Sequence, residues 1–242
     1  MPELTPIPLG DADGERPDHL VTPRWLAGSD GDTATVSDLL VAAGWLTFID
    51  ETETVRCFPR TKERCLLIRA RAKTPAAFSR DRTWHLWGRD GSSGRPSWNA
   101  TFTAFTPPEV IATVADAMLA PPPPGPPEKA DGDYLLPLAE AGWERHATAG
   151  GPARWVDPRK QATVYCLPIP IFMARREFPD VVGWHTTVST GPDHDAVWTA
   201  EFSITTPRHL VTAMCSALTD PEPVPRYDGD INDHVRPFLH LG

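Results

Sequence analysis

A set of rare residues recurs along this chain at a nearly constant offset of 98 to 100 positions. Ala43-Gly44-Trp45 returns as Ala141-Gly142-Trp143, Pro59-Arg60 as Pro158-Arg159, and Trp84-His85 as Trp184-His185. Trp98, Ala100, Phe102, Thr106 and Pro107 return as Trp198, Ala200, Phe202, Thr206 and Pro207. A fixed period carried by tryptophan is the mark of a duplicated unit, and it requires both halves to fold alike. Between them stands Pro121-Pro122-Pro123-Pro124-Gly125-Pro126-Pro127, a composition suited to a stiff polyproline spacer.

Each half reads as a short helix, a run of strands and a closing helix. The first helix (Val36 to Ala43; Tyr134 to Ala141) is stopped by Gly44 or Gly142, the residue that most readily takes a left-handed cap. Strands are expected near 45–50, 54–58, 64–72, 82–88 and 97–105, then near 143–148, 153–157, 162–172, 182–189 and 196–204. Trp98, Ala100, Phe102 and Ala104 alternate with Asn99, Thr101, Thr103 and Phe105, the period of a half-buried strand. Thr106, Pro107 and Glu109 then read as a capping box with proline at the first helical position. The expected fold is α+β: a tandem repeat of helix, antiparallel sheet of four or five strands, and helix, with the repeats related by a pseudo-twofold. The divisions are an unstructured arm over 1–19, repeats over 20–120 and 133–219, a Pro-rich linker over 121–132, and a Pro- and Asp-rich tail over 220–242. That tail also reads as unstructured, although its apolar patch Phe238-Leu239-His240-Leu241 has the means to dock on the body.

Charge divides the chain unevenly. The net charge is −9, yet between Val55 and Arg95 eleven Arg or Lys face three acids, and the remainder carries twelve basic and 29 acidic residues. Segregation of this kind creates a local positive field whatever the total. No run has the eighteen or so apolar residues of a membrane helix, and the N-terminus lacks a signal peptide's pattern, so the expected address is cytoplasmic, with no membrane partner. Cys57, Cys65, Cys166 and Cys215 form no Cys-x-x-Cys pair. They read as reduced, buried thiols, although Cys57 and Cys65 are spaced to meet across a hairpin.

Three stretches resemble one known family. Val21-Thr22-Pro23-Arg24-Trp25-Leu26-Ala27-Gly28, the Ala-Gly-Trp after the first helix, and Trp98-x-Ala-x-Phe-x-x-x-Thr-Pro-x-Glu109 are similar to the streptomycete SPDY-type domain. This is an actinobacterial tandem-repeat domain of unknown function with two copies per chain. The resemblance runs from about 21 to 219, implies the fold and names no chemistry. The Ser-Pro-Asp turn of the family is here Phe58-Pro59-Arg60 and Asp157-Pro158-Arg159.

Catalytic patterns are missing from the sequence: no Gly-x-Ser-x-Gly, no Gly-x-Gly-x-x-Gly, no phosphate loop and no His-Glu-x-x-His. Asp193-His194-Asp195 and Asp228-Gly229-Asp230 have no partners at metal-binding spacing and read as acidic turns. No cofactor, metal or catalytic residue is assigned. His85 and His185 each follow a core Trp and therefore face away from the side it buries. Trp87 has no counterpart in the second copy, where Thr187 takes its place; it should share a face with His85 and Arg89. On the strand Glu63 to Lys73, alternation places Leu66, Ile68, Ala70 and Ala72 on one face and Arg69, Arg71 and Lys73 on the other. Arg80 and Arg82 come from a neighbouring loop or strand. Basic rows interleaved with rings are how sheet-type single-strand binders track phosphates and stack bases. The expected role is therefore a non-enzymatic binding protein, its first-repeat sheet taking an anionic ligand, nucleic acid foremost, through Arg69, Arg71, Lys73, Arg80, Arg82, His85, Trp87 and Arg89. The competing expectation is a scaffold or homodimer that offers the basic face to an acidic protein partner or to another copy; an enzyme, the third class, would require a pocket that gathers His85 or His185 with a carboxylate. The uncharged segment Val164 to Pro170 reads, from its alternate prolines, as an edge or bent strand, and the strand around Leu167 to Phe172, if an exposed apolar edge, would favour this second reading.

Overall fold

The computed structural model describes residues 17–28, 33–49, 55–59, 65–70, 83–88, 97–119, 133–147, 151–167 and 181–242. Within them the chain is α+β, with antiparallel sheets and four α-helices. The first half supplies β2 (Trp45–Ile49), β3 (Val55–Pro59), β4 (Cys65–Ala70), β5 (Thr83–Gly88) and β6 (Trp98–Phe102). The second supplies β7 (Glu144–His146), β8 (Ala153–Val156), β9 (Ala162–Cys166), β10 (Val182–Ser189) and β11 (Ala196–Ser203). All ten lie in one sheet, in the order β2-β3-β4-β5-β6-β11-β10-β9-β8-β7. The expected strands are therefore present, and the two halves share a sheet instead of folding as separate bodies.

The seam between the halves is the pairing of β6 with β11, in which Phe102 stands opposite Ala200, Thr101 opposite Glu201, and Ala100 opposite Phe202. Each phenylalanine thus faces the small residue of the other copy, and the two rings meet edge to face at 5.6 Å. All four side chains are buried. Large against small at adjoining positions lets two identical motifs interdigitate without a void. Hydroxyls bind the seam further along: Thr205 Oγ1 donates to the Ser97 carbonyl at 2.7 Å and Thr206 Oγ1 to that of Asn99 at 3.1 Å. Thr103 Oγ1 accepts from the Thr199 amide at 2.8 Å.

The helices are α1 (Thr33–Ala42), α2 (Pro108–Ala117), α3 (Leu136–Glu140) and α4 (Arg208–Thr219). Their apolar stripes, including Val110, Ile111 and Val114 on α2 and Leu210, Val211 and Met214 on α4, join one core with the alternate strand residues Trp45, Cys57, Trp84, Leu86, Trp98, Trp184, Val188 and Trp198. The helices therefore form a layer on a single face of the sheet. Gly44 and Gly142 take φ of 89° and 78° and end α1 and α3 as left-handed caps, the conformation that favours glycine.

The capping box does not form. Pro107 is the N-cap of α2, with no side-chain cap bond, and Thr106 Oγ1 donates to the Thr103 carbonyl at 2.7 Å. Glu109 is drawn elsewhere, to Arg226, whose guanidinium meets both carboxylate oxygens at 2.8 and 2.7 Å. The tail explains why. Instead of lying unstructured, it contributes β12 (Val224–Arg226) and β13 (His240–Leu241), which flank β1 (His19–Thr22) in a second sheet of order β12-β1-β13. Arg226, buried, also donates from Nε to the Ala27 carbonyl at 2.6 Å, and Phe238 and Leu239 pack against the main core. Charge-assisted, fork-matched bonds of this kind hold strongly where a surface pair would not. Residues 1–16 and 120–132, including the Pro-rich spacer, lie outside the described residues.

The uncharged strand of the second half, expected as an edge or bent strand, is no edge over its described part. β9 is paired on both sides, with β10 and with β8, so it is an inner strand; Pro168 and Pro170 fall outside the described residues. Cys57 stands opposite Leu67, not Cys65, and Cys57, Cys166 and Cys215 are free thiols. Burial pushes the Cys57 thiol up to about 11, an unreactive state.

One core across both halves implies one cooperative unit. Phe202→Ala should lower stability by about 3–5 kcal/mol and keep a single urea transition by circular dichroism. Two separated transitions would show that the halves fold independently.

Candidate functional site

Helices cover one face of the ten-stranded sheet, and among the described residues no helix packs on the other. The register shows what that open face carries. Antiparallel partners point to the same side, so the pairs can be followed from strand to strand: Phe48 to Arg56, Arg56 to Ile68, Ile68 to His85, and His85 to Thr101. The chain of pairs then crosses the seam from Thr101 to Glu201 and continues to His185, Tyr165, Arg154 and His146. One residue from each of the ten strands thus lies in a single row. At about 4.8 Å per strand it extends roughly 43 Å.

Three groups of rings sit along or beside it. Phe48 and Phe58 stack at 5.0 Å with planes 8° apart. His85 and Trp87 stack at 5.6 Å and 17°. Tyr165 and His185 lie 6.0 Å apart, tilted by 44°. All six are partly exposed, while the residues between them in sequence, such as Trp84, Leu86 and Cys57, are buried. That contrast is the alternation of a strand with one dry face and one wet face. Half-exposed rings on such a face offer flat apolar surface with little freedom left to lose on binding.

His85 and Trp87 are therefore on the face expected for them, stacked on each other. In backbone register Arg69 stands opposite Val55 and Trp84, both buried under the helices, while Ile68 and Leu66 stand opposite His85 and Trp87. Alternation told which residues of β4 share a side, but only pairing with β5 tells which side is open. Arg69 is thus placed by its backbone register alone, in line with Val55 and Trp84. Arg71, Lys73, Arg80, Arg82 and Arg89 lie outside the described residues. Within the basic segment, Arg56 is the described cation on the open face, and it is exposed. Phe48, Phe58, Arg56 and Tyr165 were missed in the sequence. The signal was there: each stands at odd spacing from a core residue of its own strand, Trp45, Cys57 or Val164.

His185 sits in a polar contact set, with Thr187 Oγ1 2.9 Å from Nε2 and Glu201 Oε1 3.4 Å from Nδ1. Hydroxyl, imidazole and carboxylate in this order invite comparison with a nucleophile, a base and its orienting acid. An acyl-transfer site also needs donors for a developing oxyanion. The backbone of β10 is paired here with β9 on one side and β11 on the other, so it has no amides to spare. No cluster of three or more metal-binding side chains occurs among the described residues. Asp228 is an ion-pair partner, held below the usual carboxylate range by Arg236 and His19, and His194 packs against Phe238.

A concavity of about 360 Å³ lies away from this face, lined by Trp25, Trp143, Arg24, Arg159, Asp157 and Asp220 among others. Asp157, Arg24 and Asp220 are already engaged. Asp157 is buried and accepts three backbone amides at 2.5–2.7 Å, which shapes the turn at Pro158-Arg159, and Arg24 is bound to Asp220 at 2.6 Å.

No helix among the described residues is long and apolar enough to cross a membrane. Burial lowers the pKa of His85 from the ordinary histidine value, so the folded chain disfavours its charged form. Its contribution to stability is then complete above about pH 6.5 and is lost as pH falls through the lower folded value. Thermal melts between about pH 7.5 and 5 should show the wild type losing more than His85→Gln over that window; equal losses would contradict this.

Comparison with known proteins gives a family model, SPDY, a domain of unknown function (DUF317), that matches residues 63–124 and 171–224. No curated protein and no solved structure matches the chain. The first region takes in β4 to α2 and the second β10 to α4, the segments that build the seam. Two regions of this chain are thus similar to the same domain of unknown function, as two copies of one unit would be.

Proposed function

We propose that this chain is a non-enzymatic protein that binds single-stranded nucleic acid on the open face of its sheet, in a regulatory role in the cytoplasm of an actinobacterium. In this reading the halves are copies related by a pseudo-twofold through the β6–β11 seam. The observation that carries the proposal is the alignment of three ring pairs, two stacked and one tilted, on the face the helices leave uncovered. Bases have two flat faces, and a ring held by its strand presents a flat surface at low entropic cost. The positive field needed to hold phosphates comes from the 55–95 segment, where eleven basic residues face three acids. Duplex DNA hides its base faces, so rings of this kind favour single strands.

The scaffold reading would use the strand around Leu167 to Phe172 as its edge, and past Leu167 that segment lies outside the described residues. Self-association through the open face would bury the same rings, and a solution mass measurement separates the two readings.

Trp87→Ala tests the proposal. Wild type should bind a labelled oligothymidylate at low salt, weaken linearly in log salt, and prefer it to a duplex of equal length. Removal of one stacking ring should cost about 1–3 kcal/mol per base, or roughly 5- to 150-fold in affinity. No binding at low salt, or equal binding by Trp87→Ala, would overturn the assignment.

A further inference from the structure

The row on the open face is nearly balanced about the seam. His85 and His185 stand on β5 and β10, each the second strand out, and Arg56 and Arg154 stand on β3 and β8, each the fourth. Aromatic groups follow the same plan, with His85 and Trp87 in one half and His185 and Tyr165 in the other. From β5 to β10 is three strand spacings, about 14 Å, and from β5 to β3 two, about 10 Å. A ligand lying along one strand of the sheet would meet one ring group only. A ligand lying across the strands meets all three, with an arginine near each end.

We propose that the bound single strand runs perpendicular to the β-strands and crosses the seam, so that the second copy supplies Tyr165, His185 and Arg154 to the same site. This rests on the nucleic-acid reading above and adds its direction and extent. It also gives a place to the one carboxylate in the row. Glu201 stands at the seam where the first copy has Thr101, half-exposed and 3.4 Å from His185. A phosphate passing there meets a negative group, so Glu201 weakens the crossing, whereas Thr101 on the first-copy side carries no charge.

Probe length separates this from a site confined to the first copy. Single-strand sites span about 4–16 nucleotides, so oligothymidylates of about 4 and about 16 nucleotides bracket the range. Tyr165→Ala and Arg154→Ala should each weaken the long probe several-fold and leave the short one unchanged, while Trp87→Ala weakens both. Glu201→Thr should tighten the long probe several-fold. Both Tyr165 and Arg154 are partly or fully exposed, and unchanged melting curves would confirm that the variants fold. The long probe should hold one chain by mass. If the long probe binds and neither second-copy variant affects it, or if it holds two chains, the ligand does not cross the seam while the nucleic-acid reading stands. If neither probe binds wild type, both ideas fall together.

Discussion

The pairing of β6 with β11 determines the rest of this structure. It places Phe102 and Phe202 edge to face over Ala200 and Ala100 and turns two five-stranded units into one sheet of ten strands. It also fixes which face of each half points the same way. Because the register continues through Thr101 and Glu201, the helices of both halves share one side, and the other side becomes a single surface. A slip of one residue at this seam would turn the second half over and put its rings under the helices. The hydroxyls of Thr205, Thr206 and Thr103, each bonded across the seam, oppose such a slip.

The terminal segments lock this arrangement from outside. Arg226 reaches back from the tail to Glu109 on α2 and to the Ala27 carbonyl, while Trp198 Nε1 donates to the Trp25 carbonyl at 2.7 Å. Residues from the beginning, middle and end of the chain therefore meet at the helix side of the sheet. Gly28 belongs to this junction: a Cβ there would lie 1.7 Å from the Phe105 carbonyl oxygen, so only glycine lets the two backbones approach.

Much of this was legible in the amino-acid sequence because it rests on local rules. Tryptophan periodicity located the two copies, alternation located their strands, and Gly44 and Gly142 marked the helix ends. What escaped depended on partners distant in sequence. Glu109 looked like a capping residue until Arg226, far along the chain, is seen to claim it. The tail read as loop from its Pro and Asp content, yet β1 offers it a strand to pair with. The site was half legible for the same reason. Trp87 and His85 stood out as residues beside core tryptophans, whereas alternation within the strand of Arg69 says which residues share a side and not which side is covered. Phe48, Phe58 and Tyr165, on strands far apart in sequence, become neighbours of one surface only through the register.

The account therefore turns on the open face being the face that is used. Hydroxyl-radical footprinting of the chain with and without saturating oligothymidylate reads this directly, since aromatic side chains react readily when exposed. Protection of Phe48, Phe58, Trp87 and Tyr165, with the exposed residues of α2 and α4 unchanged, is the predicted pattern. Protection confined to the helices, with those four rings as reactive as before, would contradict it.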